Sequence, residues 1–518
     1  MPAADLHVPT HPVRVVTATS LFDGHDAAIN IMRRILQAQG AEVIHLGHNR
    51  SVQEVVDAAV QEDVQAVAIS SYQGGHVEYF KYLVDLLRER GAGHVKVYGG
   101  GGGVIVPTEI AELQAHGVTR IFSPEDGARM GLAQMVNQII ADADVDPLSV
   151  GPSVSTEALL TGDTQALARV VSALELGELD DESRREIQRA AAGHVVPVLG
   201  ITGTGGSGKS SLTDELVNRF RRDQGDKLRI AVLAIDPTRR RTGGALLGDR
   251  IRMNAANAPS VFFRSLATRD GVSEVPEQLD AIVGACKAAG FDLVIVETPG
   301  IGQGDAGIVG HVDTSLYVMT PEFGAASQLE KIDMLDLADV IAINKFDRRG
   351  GADAFRDVRR QFVRDRELFG VELDELPVFG TIASRFNDDG VTALYQHLRT
   401  VLADQGLPVD TGLLDPVEVR ASTGTTVVVP PERGRYLAEI AGGLRGYHAE
   451  TSRLADLARA AQRLEWASGH LAGKSWRSVP SRRKRPSPAE LSPPRCRTRS
   501  TGGRCWSCLL YTSDAADE

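Results

Sequence analysis

The chain has 518 residues, 42% of them hydrophobic and 24% charged, and its net charge at neutral pH is -12. This length exceeds what one hydrophobic core usually holds, so several domains are expected. The acidic balance argues against a nucleic-acid-binding protein, since phosphate contacts need clustered Lys and Arg, and no apolar run reaches the ~18 residues that a membrane helix needs. The start of the chain lacks a basic region followed by an apolar stretch, so a cytoplasmic protein is expected.

Residues 12–148 alternate short apolar runs with amphipathic helical patterns. Strands are predicted at 13–19, 42–46, 66–70, 96–99 and 120–122, and helices at 27–39, 52–61, 79–90 and 109–115. This alternation predicts a parallel sheet with helices on both faces, which binds its ligand beyond the carboxyl ends of the strands. Candidate binding residues are therefore sought in the loops that follow the strands.

The loop after the first predicted strand contains Asp23 and His25. A His in such a loop can reach a bound metal while a nearby carboxylate holds its other ring nitrogen. Small residues follow two further strands and leave room for a bulky ligand against the backbone. The candidate ligand-binding residues are Asp23, His25, Ser70, Ser71, Gly99, Gly100 and Gly101.

Together these features resemble the cobalamin-binding domain, which carries Asp-x-His-x-x-Gly, Ser and Gly-Gly signatures. The last position of the first signature is Ala28 here instead of Gly. The resemblance implies a flavodoxin-like α/β fold, cobalamin as cofactor, and His25 as the lower axial ligand of cobalt in place of the cofactor's own base.

Residues 149–193 lack strand patterns and include an acidic helical stretch, which predicts a helical linker. A second α/β unit is predicted over 194–404, and it opens with a strand, the sequence GTGGSGKS at 203–210, and a helix. This is the context of a phosphate-binding loop, whose glycines turn backbone N–H groups toward the phosphates at a helix N-terminus. Lys209 is predicted to reach the β- and γ-phosphates, and Ser210 to bind Mg²⁺.

Two carboxylates end strands near this loop: Asp236 is followed by Pro237, and Glu297 by Thr298. Mg²⁺ prefers oxygen ligands and keeps several waters, so one or two such carboxylates suffice. The glycine-rich segment 243–253 is predicted to be a switch loop that closes on the γ-phosphate, where Arg252 pairs with phosphate. The predicted Mg²⁺ ligands are Ser210, Asp236, Asp249, Glu297 and Thr298.

The sequence NKFD at 344–347 follows another predicted strand and identifies the base. Guanine presents a ring N–H beside an NH₂ group, which one carboxylate can accept together, whereas adenine lacks that pair. Residues 381–384 are predicted to form the loop beside the base. The predicted nucleotide-binding residues are Gly203, Gly205, Gly206, Ser207, Gly208, Lys209, Ser210, Ser211, Arg252, Asn344, Lys345, Asp347 and Ser384.

The phosphate loop, the two strand-end carboxylates, the segment 247–253 and the NKFD sequence resemble the GTPase family associated with methylmalonyl-CoA mutase, whose members act as chaperones of cobalamin mutases. The resemblance implies GTP hydrolysis, with Lys209, Glu297 and Gln303 as catalytic candidates. Pro299 and the segment 323–327 depart from the usual pattern, so the residue that promotes hydrolysis is left open.

Residues 405–473 are predicted to form a helical linker, and 474–518 a disordered or out-of-frame tail rich in Ser, Pro and Arg. The basic cluster at 482–485 has no aromatic partners and is interpreted as solvated charge. Cys505 and Cys508 lack the second ligand pair of a zinc site and the context of a redox site.

A cobalamin-binding domain followed by this GTPase resembles the N-terminal part of the fused isobutyryl-CoA mutase family. The resemblance implies adenosylcobalamin, GTP, GDP and Mg²⁺ as ligands, and isomerisation of isobutyryl-CoA and n-butyryl-CoA once a substrate barrel is present. We expect this chain to stop before that barrel, to bind acyl-CoA only with it, and to form a homodimer in the full-length protein. The alternatives are a cobalamin-delivery or cobalamin-sensing GTPase and a corrinoid methyltransferase carrier, although no helical cap module precedes residue 12.

Overall fold

The computed structural model describes residues 6–239, 242–247, 249–269, 275–300, 305–323, 329, 332–424 and 436–471. The chain divides into two compact units, residues 1–426 and 427–518. Two parallel sheets with their helices make up the described part of the first unit, and the second unit contains the helix Tyr436–Leu471.

The first sheet is built from β1 (Arg14–Ser20), β2 (Glu42–Arg50), β3 (Ala66–Ser70), β4 (Lys96–Gly100) and β5 (Arg120–Phe122). Its helices are α1 (Ala27–Ala38), α2 (Val52–Gln61), α3 (His76–Glu89), α4 (Pro107–His116) and α5 (Pro124–Ala143). The strands pair in parallel in the order β5-β4-β3-β1-β2. This order is that of flavodoxin-like sheets, so the predicted fold class is confirmed.

Alternate residues of β1 face opposite helical layers. Val16 packs in a core with residues of α2, α3 and α4, while Val15 packs with residues of α1 and α5. Because both faces of the sheet are covered, every residue of the central strands β1 and β3 is buried, which is typical of parallel sheets. The carboxyl ends of β1, β3 and β4 therefore remain the accessible edge where a ligand can bind.

Three helices follow the first sheet: α6 (Thr156–Leu160), α7 (Thr164–Leu176) and α8 (Asp181–Ala192). They lie in the stretch predicted to be a linker, yet their apolar faces are buried with the second sheet. Leu167 and Val171 share a core with Val198 and Val294. The amphipathic pattern predicted helices correctly but could not identify the surface that they cover.

The second sheet contains β6 (Val198–Gly203), β7 (Ile230–Pro237), β9 (Val261–Thr268), β10 (Leu293–Glu297), β11 (Thr314–Met319), β12 (Val340–Asn344) and β13 (Val378–Thr381), all parallel, in the order β13-β12-β11-β6-β10-β7-β9. Its longer helices are α9 (Lys209–Asp223), α10 (Leu279–Ala288), α12 (Gly351–Asp365) and α13 (Asp389–Asp404), and the short α11 spans Met334–Leu337. Strand β6 lies in the middle of this sheet and leads directly into the phosphate loop.

One strand crosses from the second domain to the first sheet. This strand, β8 (Ala245–Leu247), pairs in parallel with Glu42–Ile44 of β2 and forms the sixth strand of the first sheet. It lies inside the segment that was predicted to be a switch loop. The described part of that segment also contains a 3-10 helix, Asp249–Arg252.

A network of buried charged groups joins the two domains beside β8. Glu62, fully buried at the end of α2, accepts hydrogen bonds from the Ser265 N–H at 3.0 Å and the Ser265 hydroxyl at 2.9 Å. Arg14 donates to the Glu42 carboxylate at 2.7 Å and to the Ser265 carbonyl at 2.7 Å. Arg250 donates to the Gln61 side chain at 2.7 Å and lies 3.4 Å from Glu62. Arginines that stay charged surround these carboxylates, so the pKa of Glu42 is held far below its usual value despite burial, chiefly by Arg269 and Arg14.

The described part of the second unit is a helix whose side chains are mostly exposed, including Ile440, Tyr447 and Trp466. A helix was predicted within 405–473, and this one spans most of the second half of that range. Among the described residues, no helix is both long and apolar enough to cross a bilayer. The predicted tail, 474–518, lies outside the described residues.

Candidate cofactor and nucleotide sites

The phosphate loop runs from the end of β6 into the first turn of α9. Gly206 and Gly208 have positive φ angles of 75° and 91°, which turn the backbone N–H groups inward. Lys209 is buried and donates from Nζ to the Gly203 carbonyl at 2.8 Å. This geometry places a cation and a helix N-terminus around one cavity, as phosphate binding requires.

Two carboxylates approach the loop from the ends of β7 and β10. Glu297 is buried and accepts hydrogen bonds from the Ser210 hydroxyl at 2.8 Å and the Thr213 hydroxyl at 2.8 Å. Asp236 lines the same cavity from the end of β7. Ser210, Glu297 and Asp236 thus supply hydroxyl and carboxylate oxygens at one place, which is the chemistry that Mg²⁺ prefers.

The cavity between these elements has a volume of about 510 Å³. Among the predicted residues, those lining it are Gly205, Gly206, Gly208, Lys209, Ser210, Ser211, Asp236, Arg252, Glu297, Thr298 and Lys345. Gly203 lies at the start of the loop. The side chains of Asp249 and Gln303 lie outside the described residues, so the structure does not bear on their predicted roles.

The guanine motif lies at the end of β12 beside the phosphate loop. Asn344 is buried and donates to the Ser207 carbonyl at 2.8 Å, and its carbonyl oxygen accepts the Ala383 N–H at 3.0 Å. Lys345 donates from Nζ to the Gly206 carbonyl at 2.6 Å. Asp347 and Ser384 are exposed at the same edge of the sheet. The motif therefore connects the phosphate loop to the loop after β13, where a base can lie against Lys345.

Two residues of this site, Gly300 and Thr213, are not among the predicted ones. A Cβ on Gly300 would lie 2.5 Å from Lys209 Nζ and 2.8 Å from the Gly205 Cα, so only glycine fits there. Thr213 lies one helical turn after Lys209 and fixes the second oxygen of Glu297. Gly300 is visible in the sequence after Thr298 and Pro299. Its close contacts with Lys209 and Gly205, which require a glycine, depend on the fold.

The first sheet presents its candidate site at the ends of β1, β3 and β4. Asp23 is buried, and one of its oxygens lies 2.7 Å from His25 Nδ1 and 2.9 Å from the His25 N–H. Its other oxygen accepts the Tyr72 N–H at 2.5 Å. Burial alone would raise the pKa of Asp23, but these N–H donors hold it below its usual value.

His25 has a side chain that is 76% exposed, in contrast to its buried partner. The contact of Nδ1 with Asp23 leaves Nε2 as the nitrogen that points away from this partner. A carboxylate held in this way orients the ring and raises the basicity of its other nitrogen, as for His ligands of metals. The geometry therefore fits the predicted axial role of His25.

A cavity of about 310 Å³ opens beside these loops. Predicted residues Ser70, Gly99, Gly100 and Gly101 line it, and a Cβ on Gly101 would lie 1.9 Å from the Ser71 carbonyl oxygen. Ser71 itself is buried behind the cavity, where its hydroxyl accepts from Ser20 at 2.8 Å. The mostly apolar remaining lining, which includes Tyr72, Tyr98, Phe122, Leu132 and Met135, was not predicted. An apolar slot closed by glycines fits a bulky cofactor tail.

Two protein-family models match this chain. The one described as "B12 binding domain" matches residues 13–133, and the one described as "Methylmalonyl Co-A mutase-associated GTPase MeaB" matches residues 167–400. The first range covers the sheet that carries His25, and the second covers the sheet that carries the phosphate loop. The second range also begins within α7, in agreement with the burial of that helix against the second sheet.

Long stretches of the chain are similar to curated proteins. The fused isobutyryl-CoA mutase of Nocardia farcinica is 65% identical over 473 residues, 91% of this chain and 44% of that protein. The fused isobutyryl-CoA mutase of Cupriavidus metallidurans is 61% identical over 478 residues, 92% of this chain and 44% of that protein. A candidate GTPase of Pyrococcus horikoshii is 33% identical over 250 residues, 47% of this chain and 75% of that protein. The chain thus spans less than half the length of the two mutases.

Replacing Gly300 by Ala is expected to weaken guanine-nucleotide binding by about 10-fold or more, because the added methyl group displaces Lys209 or Gly205. Gly310→Ala is the matched control, since a Cβ there meets no atom within 4 Å. Titration calorimetry with GDP measures both variants. If Gly300→Ala binds GDP as tightly as the parent, the phosphate cavity tolerates this displacement, and the close contact of Gly300 with Lys209 and Gly205 is not needed for binding.

Proposed function

This chain belongs to the fused isobutyryl-CoA mutase family, and we propose that within it the chain binds adenosylcobalamin through His25 and hydrolyses GTP with Mg²⁺, so that the nucleotide state controls cofactor loading. The observation that carries the proposal is the position of Asp236, β8 and Arg252. Both of these residues line the phosphate cavity, and the strand β8 between them belongs to the sheet that carries His25. We also propose the domain bounds 12–148 and 194–404, with the helices α6, α7 and α8 packed on the second domain.

The GTPase proposal assigns a role to each group around the phosphate cavity. Lys209 neutralises the β- and γ-phosphates, and Ser210 and Asp236 hold Mg²⁺ with help from Glu297. Arg252, at the rim, approaches the γ-phosphate when the segment closes. Gln303, our candidate for orienting the attacking water, lies outside the described residues, and Thr298 and Asp249 complete the proposed metal site.

The cofactor proposal assigns His25 to cobalt and the glycine-lined cavity to the nucleotide tail of cobalamin. The chemistry that adenosylcobalamin supplies when bound is radical formation by homolysis of its cobalt–carbon bond. Asp23 orients His25 and keeps Nδ1 occupied, so that Nε2 is the ligating nitrogen. We further propose that the acyl-CoA substrate and the homodimer contacts belong to the full-length protein, in which isobutyryl-CoA is converted to n-butyryl-CoA.

Control of loading follows from the contacts of three consecutive residues. Arg250 contacts Glu62 and Gln61 of the first domain, Arg252 lines the phosphate cavity, and between them Ile251 reaches Gly47 near the end of β2. A movement of Arg252 toward the γ-phosphate must therefore shift Ile251 against β2. Since β2 lies beside β1, such a shift reaches the strand whose end carries Asp23 and His25.

Asp347→Asn is expected to weaken GTP binding by at least ~1–3 kcal/mol, because the guanine N–H and NH₂ groups lose their acceptor. The same variant should bind xanthosine triphosphate more tightly than the parent, since the amide donates to the carbonyl in place of the NH₂ group. The control is Asp353→Asn, an exposed Asp of α12. Competition binding with GTP, ATP and xanthosine triphosphate measures the effect, and equal parental affinities for GTP and ATP would refute the guanine site.

His25→Ala is expected to keep the fold, because the ring is exposed in a loop, and to lose the absorption spectrum of cobalamin with a His below cobalt. Far-UV circular dichroism reports the fold, and absorption spectra of the protein with adenosylcobalamin and hydroxocobalamin report ligation. His194→Ala, an exposed His outside this domain, is the control. A spectrum and an affinity identical to those of the parent would exclude His25 as the axial ligand.

Ile251→Ala is expected to reduce the dependence of cobalamin affinity on the bound nucleotide. In the parent, the dissociation constants for adenosylcobalamin with GDP and with a non-hydrolysable GTP analogue should differ at least ~5-fold, the lower range of allosteric coupling. Ile440→Ala, an exposed Ile of the second unit, should keep the parental ratio. An unchanged ratio in Ile251→Ala, with GTP affinity intact, would show that the coupling does not pass through this contact.

A further inference from the structure

The two loops that border the cofactor cavity are joined at their far ends by a contact between the side chains of His76 and Glu109. Residues 71–75 connect β3 to α3, and residues 101–106 connect β4 to α4. His76, the first residue of α3, places Nε2 2.9 Å from Glu109 Oε2 in the first turn of α4. Only 3% of His76 is exposed, whereas the Glu109 side chain is 32% exposed.

His76 has an acceptor oxygen beside each of its ring nitrogens. Its Nδ1 lies 3.0 Å from the Gln73 carbonyl oxygen, and its Nε2 lies 2.9 Å from a carboxylate oxygen of Glu109. The two contacts hold the ring between the loop 71–75 and the first turn of α4.

One oxygen of Glu109 contacts two groups, His76 Nε2 and the Val106 N–H. Oε2 also accepts the Val106 N–H at 3.0 Å, at the start of α4. The pKa of Glu109 is lowered by this backbone N–H and by His76, so the carboxylate stays ionised. One oxygen atom thus joins the end of the loop 101–106 to the first residue of α3.

Stability alone does not account for this pair. A single hydrogen bond between side chains contributes little net stability, because the unfolded chain makes the same bonds to water. The position of the contact is more informative, because the Gln73 carbonyl that His76 contacts belongs to the loop that contains Tyr72. A buried His76 ring with a fixed partner at each nitrogen sets the position of that loop.

The same loop holds the carboxylate that orients His25. The Tyr72 N–H donates to Asp23 at 2.5 Å, and the other oxygen of Asp23 contacts His25 Nδ1 at 2.7 Å. At the cavity, the Ser71 N–H also donates to the Gly100 carbonyl at 2.8 Å. The loops 71–75 and 101–106 are therefore fixed to each other at both ends, with Tyr72 and Asp23 between these ends and the ligand His25.

We propose that His76 and Glu109 form a positioning pair for the axial ligand. The pair fixes the loop 71–75, so that Tyr72 holds Asp23 and Asp23 holds His25 with Nε2 directed outward. It does not touch the cofactor. The inference rests on the proposed cobalamin function and adds two residues, remote from His25 in sequence, on which cobalt ligation depends.

The test measures adenosylcobalamin and hydroxocobalamin binding to the whole chain by absorption titration. His76→Ala and Glu109→Ala should each weaken binding ~10–100-fold, as loss of indirect support to a metal ligand typically does, and should shift the saturated spectrum toward cobalamin without a His ligand. Glu109→Gln should stay within about threefold of the parent, because its amide oxygen still accepts from His76 and Val106. His116→Ala is the matched control, since His116 forms a partly exposed pair with Asp85 at 2.9 Å in the same domain.

Several outcomes separate this inference from the proposed function. If the parent and His25→Ala give the same spectrum, the axial assignment itself fails. If His25→Ala loses the His-ligated spectrum while His76→Ala and Glu109→Ala keep it and only melt at lower temperature, the pair is structural and the inference is wrong. Circular dichroism and GTP affinity report folding. Should His76→Ala not fold, the comparison of Glu109→Ala with Glu109→Gln decides, since Glu109 is partly exposed.

Discussion

The burial of Glu62 between the two domains is the contact on which the rest of the arrangement depends. Its carboxylate has no exposure to solvent and contacts Ser265 of the second domain directly, with Arg14 and Arg250 within 3.6 Å. Separating the domains would either expose the whole network to water or leave single charges buried without partners. A buried charge without a partner costs several kcal/mol. The domains are therefore held in one orientation, and the two ligand sites keep a fixed relation to each other.

Within this fixed frame, one segment has weak enough contacts to move. Strand β8 has only three residues, and Gly243, just before it, has a positive φ of 72°. Few backbone hydrogen bonds hold such a strand, and regions of this kind open at free energies far below that of global unfolding. Under the proposed control, nucleotide binding shifts β8 and the residues 249–252 against β2. Arg250 lies 3.4 Å from Glu62, so the shift reaches the edge of the buried network, while the contacts of Glu62 with Ser265 and Arg14 lie outside this segment.

Local patterns explain which features the sequence could predict. The order of strands and helices, the phosphate loop, the guanine motif and the Asp23 and His25 loop each depend on residues close together in the chain, and the structure brings most of the predicted phosphate-site residues to one cavity. Strand β8 was not predictable, since three apolar residues carry no period and their partner β2 lies far earlier in the chain. Arg14 and Arg264 are fully buried, whereas arginines are expected at the surface, so the interface could not be read from composition. The contacts of Gly300 and His76 likewise exist only once distant loops meet.

Both sites hold a side chain in position before the ligand binds, but the contacts that hold it differ. Each lies at the carboxyl ends of parallel strands, where helix N-termini and glycines give backbone access, and each needs a side chain held ready before its ligand arrives. Lys209 is held by the carbonyl of Gly203 in its own loop, so the position of this cation depends on local geometry. His25 is exposed and is oriented by Asp23, which in turn accepts a hydrogen bond from Tyr72 of another loop. A cofactor site built on contacts between loops responds to small shifts of neighbouring strands more than a site built within one loop. The control of cofactor loading that we propose therefore requires movement of Arg252 and Ile251 beside β2, and the phosphate loop itself can stay unchanged.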